Sequence, residues 1–104
     1  MIVKLTNAHA ALVARAATLD GWDKVDALTN AAKAANMLAN VYGGMTEAAF
    51  NYACLLESMH DSKHNVDAAW TAYADHRRDR DEWEDECNRL YSEWTEVLNG
   101  MDWV

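Results

Sequence analysis

From Asn65 onward the chain runs to Gly100 without a proline or glycine. A stretch of that length with a helical apolar period reads as one long helix. On a wheel of 100° per residue, Ala69, Tyr73, Trp83, Cys87, Leu90, Tyr91, Trp94, Leu98 and Met101 share one side. Asp75, Asp79, Glu82, Glu86 and Glu93 fall within a narrow arc well round from it. The segment therefore has an aromatic face to bury and an acidic stripe to show. Asn65 is the expected N-cap and Gly100 the expected C′ residue.

The rest of the chain reads the same way. It has no proline, only four glycines, abundant alanine and leucine, and scattered β-branched residues, so the expected class is all-α. A first helix is expected over about 7–19, capped by Thr6, with Leu5, Ala8, Leu12, Ala16 and Leu19 at three- and four-residue spacing. Asp20-Gly21 breaks it. A second helix is expected over 23–42, capped by Asp23 and stopped by Gly43-Gly44. Six alanines between 27 and 39 make one side of it thin and mark it as the central element. A third helix, capped by Thr46, is expected over 47–60, and the last over 66–99.

The expected architecture is one domain spanning 1–104: a four-helix bundle with an extended C-terminal helix. That helix, about 50 Å long at about 1.5 Å per residue, would overhang a bundle of roughly 35 Å. His76, Arg77 and Arg80 interrupt its apolar face, but the apolar phase resumes beyond them, which favours a continuous or gently bent helix over a break near 76–81.

Charge is placed unevenly. Residues 1–66 carry six acids and five bases, whereas 67–104 carry eleven acids and four arginines of the total net charge of −8. That asymmetry excludes a direct nucleic-acid binder, which needs a basic footprint. The run from Asp79 to Glu86 holds six acids and one base. Spread over about 12 Å of helix, this is one net charge per ~2.4 Å, comparable with the one per ~1.7 Å of duplex DNA. Two readings follow: a mimic that enters a partner's basic groove, or a solvated face that keeps a small protein dissolved.

Four of the five tryptophans lie at 70, 83, 94 and 103. Trp83 and Trp94 are expected in the core. Trp70 and Trp103 are expected at a protein-binding surface, where aromatic anchors carry much of the energy. With Asp75, Asp79, Glu82, Glu86 and Glu93 they form the expected partner-binding set. Arg77 and Arg80 are expected to pair with carboxylates one turn away.

No enzyme is expected. There is no Gly-x-Ser-x-Gly, no phosphate-binding glycine loop and no Cys-x-x-Cys. Glu57, His60 and His64 supply half of a di-iron motif, but the second Glu-x-x-His pair and further glutamates are missing, so neither metal nor cofactor is expected. Cys54 and Cys87 are read as buried thiols. No run approaches the ~20 apolar residues of a membrane span, and a cytoplasmic protein is expected.

In size, charge asymmetry and tryptophan content the chain resembles the small acidic helical proteins with which bacteriophages and mobile elements block host machinery. Among these, some anti-CRISPR and anti-restriction proteins occupy nucleic-acid grooves. The resemblance implies an inhibitor or regulator of a nucleic-acid-processing complex, with a basic-grooved host protein as partner. The alternative is a structural protein that forms a homodimer through its long C-terminal helix.

Overall fold

The computed structural model describes residues 1–101. Within them the chain is all-helical: α1 (Ile2–Ala16), α2 (Gly21–Ser58) and α3 (Lys63–Gly100). The four-helix bundle is corrected to three helices, because the expected second and third helices are one.

Gly43-Gly44 does not stop α2. Each glycine in a helix interior costs about 1 kcal/mol relative to alanine, and 38 residues of packing outweigh that. Neither glycine takes a left-handed conformation; among the glycines only Gly21 does, at φ 58°. Thr46, the expected cap of a third helix, is buried inside α2 and donates its hydroxyl to the Tyr42 carbonyl at 2.7 Å. Such i−4 bonding is what a threonine does within a helix, whereas a cap would leave it outside. Thr6 likewise lies inside α1, donating to the Ile2 carbonyl at 2.8 Å, so α1 starts earlier than expected.

The real end of α2 lacks glycine. His60 adopts φ 54°, the Asp61 N–H donates to the Leu56 carbonyl at 3.0 Å and the His60 N–H to the Glu57 carbonyl at 3.1 Å. This is the Schellman pattern with histidine in the left-handed seat usually given to glycine. Ser62 then caps α3, its Oγ accepting from the Asn65 N–H at 3.2 Å, so the cap stands three residues before Asn65. The α3 helix passes His76, Arg77 and Arg80 unbroken.

The helices α2 and α3 are equally long, so they form a hairpin and nothing overhangs in the way expected. The molecule measures 67 × 22 × 13 Å with a radius of gyration of 18.5 Å, against about 13 Å for a compact chain of this size. Helix α1, only 15 residues, covers about 22 Å of a hairpin about 57 Å long.

Two cores result. At the three-helix end Ala16 of α1, Ala27, Leu28, Ala31, Ala32 and Ala35 of α2 and Cys87 and Leu90 of α3 are buried together, with Leu12, Trp83 and Trp94 packed around them. Small α2 side chains let both neighbours approach closely, which is why the alanine-rich helix is the central one. At the hairpin tip, Ala53, Leu56 and Ala69 are buried with Val66 and Trp70 against them.

Candidate protein-binding surface

The acidic stripe forms on α3, but much of it is tied up within the molecule. Arg78 lies 3.6 Å from Asp75 and 3.7 Å from Asp79. Arg89 clasps Glu86, with one guanidinium N–H donating at 2.9 Å, and reaches Glu93 at 3.4 Å. On the neighbouring face Arg80 pairs with Asp81 at 2.9 Å, with Glu84 at 4.0 Å. Of the five expected stripe residues, Glu82 alone has no ion pair among the described residues. Exposed pairs of this kind contribute little to stability, a median of about 0–1 kcal/mol, but they reduce the charge shown to a partner.

Glu86 has a further role. His9 Nε2 of α1 sits 2.6 Å from its Oε2, and the His9 ring meets Trp83 edge-on with centroids 4.9 Å apart. The Arg89 guanidinium holds the Glu86 carboxyl below its ordinary value; His9 acts in the same sense and burial opposes both. Glu86 is therefore a structural tie between α1 and α3 as well as a member of the stripe.

The tryptophans divide. Trp83 and Trp94 pack on the first core, as expected. The Trp94 indole N–H is buried without a hydrogen-bond partner among the described residues. Trp70, expected as a surface anchor, is instead half-buried: its indole donates to Glu57 Oε1 at 2.6 Å, and its ring contacts Phe50 and Tyr73 at 5.6–5.7 Å in edge-on geometry or close to it. Trp103 lies outside the described residues.

Glu57 is thus occupied by Trp70 and does not join His60 and His64. Among the described residues no group of three His, Cys, Asp or Glu side chains is placed to hold a metal ion. Both cysteines are free. The Cys87 thiol lies 3.6 Å from the Ala32 carbonyl, and burial pushes its pKa up, away from reactivity. No described helix is long and apolar enough to cross a membrane.

One surface has no counterpart among the expected sites. Along α2, apolar residues follow alternating steps of four and three from Ala27 to Met59, the a/d spacing of a helix-packing seam. Its first part, Ala27, Ala31, Ala34 and Leu38, is at most 6% exposed. The same line continues through Val41, Met45, Ala48, Tyr52, Leu55 and Met59. There Tyr52, Leu55 and Met59 are 54–63% exposed. Beside this part, Ala49 and Tyr52 of α2 and Ala68, Ala69 and Ala72 of α3 wall a shallow groove of about 270 Å³. At the other end α1 lies beside the seam: Leu12 packs on the cluster that contains Ala27 and Ala31, and Leu12 and Arg15 wall a pocket with Asp23, Ala27 and Asn30.

Comparison with protein-family models, with curated proteins and with solved structures gives no match.

Proposed function

We propose that this chain is a non-enzymatic binding protein that regulates or inhibits a nucleic-acid-processing complex by presenting α3 to a basic groove. The observation that carries the reading is the shape of the charge. An elongated body of 67 × 22 × 13 Å displays its excess acid along one helix, with Asp81, Glu82 and Asp85 bordering an open cleft beside Tyr73, Arg77 and Arg78. A long, narrow body with a linear array of carboxylates fits a channel built for a nucleic-acid backbone. Steered association would be fast and would weaken as salt rises. The internal pairs of Arg78, Arg80 and Arg89 focus the binding on Glu82 and Asp85, the acids of the Asp79–Glu86 run without ion pairs among the described residues.

The test is a pull-down from nuclease-treated bacterial lysate, repeated with excess DNA, using the full chain and a Glu82→Lys/Asp85→Lys variant. Recovery of a nucleic-acid enzyme that DNA displaces, and that the variant no longer captures, is the expected result. Equal capture by the variant would sink this reading. Glu86 is unsuited to the test, since its reversal would also release α1.

Self-association through α3 is less well supported than the sequence suggests. Trp94 packs on the first core and Tyr73 on Phe50 and Trp70, so neither stands clear as a dimer contact.

A further inference from the structure

We propose that the open part of the α2 seam is covered by a second copy of this chain, antiparallel, about a two-fold axis level with residue 50. The inference is independent of the groove-binding reading above, which uses α3.

The seam is complementary to itself in that orientation. Antiparallel helices pair a positions with d positions, which sets Val41 against Met59 of the second copy, Met45 against Leu55, and Ala48 against Tyr52. The central layer thus puts the smallest side chain opposite the largest, twice. The flank that would face the second copy's α2 carries Gly44, Asn51 and Ser58, all uncharged and short.

Charge favours a copy of the same chain, despite its net −8. Between residues 40 and 59 the only charged side chains are Glu47 and Glu57, and Glu57 is bonded to Trp70. The antiparallel arrangement keeps the two Asp79–Glu86 runs apart, on opposite sides of the axis. It also brings Lys63 of one copy level with Asp79 of the other.

The area suffices. The open face, made of the α2 seam and the adjoining α3 wall of Ala68 and Ala72, is about 27 Å long and two helices wide, about 20 Å. Over both copies it therefore buries on the order of 1,000 Å², the lower bound for a specific interface. The second copy would cover the seam at this end, as α1 lies beside it at the other, and would complete a four-helix bundle between chains.

The mass of the full chain should be measured by sedimentation equilibrium from about 1 to 100 µM, the range in which a small interface of this kind dissociates. The expected result is a rise from 11.7 kDa to twice that value, persisting at high salt. Tyr52→Glu with Leu55→Glu should raise the dissociation constant by about 100-fold or more and leave the helical circular dichroism unchanged, since both side chains are exposed. Orientation is read separately in a Cys54→Ser background: Asn51→Cys, beside the axis, should form an intermolecular disulfide, and Ser58→Cys, about 24 Å along the axis from the same residue of the second copy, should not. A monomer at every concentration would overturn the proposal and leave the seam to a different protein. A dimer that survives both glutamates, or cross-links equally well at both positions, would overturn this interface.

Discussion

The two ends of the hairpin use the same helices and the same seam, yet only one end has a third helix. Where α1 lies on α2, the seam is reduced to alanine and leucine and is buried to the last few per cent. Where α1 is absent, the seam grows tyrosine, leucine and methionine, and they stand half or more exposed. The comparison teaches that side-chain size along the seam follows its cover: small where α1 lies beside it, and large where Tyr52, Leu55 and Met59 stand open.

The largest expected contrast between the ends concerns Leu90 and Leu55. Leu90→Ala empties a fully buried site and should cost about 3 kcal/mol in urea unfolding. Leu55→Ala, on the open seam, should cost under ~0.5 kcal/mol at protein concentrations where the chain is monomeric. Equal losses would mean that the open end is packed as tightly as the closed one. Trp94→Phe, also at the three-helix end, removes the buried indole N–H that lacks a partner among the described residues. Since an orphan donor costs about 1–3 kcal/mol, the variant should hold or gain up to about 1 kcal/mol despite its smaller ring. A thermal scan that shows a clear loss would mean that the packing of the larger ring outweighs the orphan donor.

At the tip, His60→Gly should stabilise by about 0.5–1 kcal/mol, because glycine takes the left-handed seat without the Cβ penalty. Destabilisation would show that the imidazole makes a contact of its own. The smallest effect concerns acid. Glu86 has its folded pKa depressed by Arg89 and His9, so its contribution is present above the ordinary glutamate value of about 4.3 and is lost as pH falls through the folded value. Titration from pH 6 to about 3 should therefore loosen α1 first, seen as a rise in Trp83 solvent exposure. Glu86→Gln should flatten that change. An α1 that stays docked in both proteins would mean that apolar packing alone holds it.

Much of this architecture was legible in the residues. The helical class, a short connection after the first helix, the central place of the alanine-rich helix and the unbroken C-terminal helix all follow from composition and period, although α1 ends at Ala16 and Asp20, not Asp23, stands at the N-cap of α2. The Gly43-Gly44 stop failed because local propensity, about 1 kcal/mol per glycine, was weighed without the partner helix; Arg80, whose side chain lies 3.6 Å from where a Gly43 Cβ would stand, passes close by there. The stop near residue 60 was legible, but its form was not, since His60 carries no sequence mark of a left-handed residue. In the candidate site, the stripe's residues were legible but their neutralisation by Arg78 and Arg89 was readable only as i,i+3 and i,i+4 spacing. The open seam carried the clearest overlooked mark: its four-three rhythm runs straight through the two glycines and could not be seen while α2 was divided there.

The most direct measurement is amide hydrogen exchange along α2, recorded at low and high protein concentration. Amides from 27 to 38 should be strongly protected at both. Amides from 41 to 59 should exchange faster at low concentration and gain protection as the chain is concentrated, with no discontinuity at Gly43-Gly44. Protection over 41–59 that ignores concentration would contradict a second copy on the seam, and a sharp boundary at the glycine pair would contradict the continuous helix on which the comparison of the two ends rests.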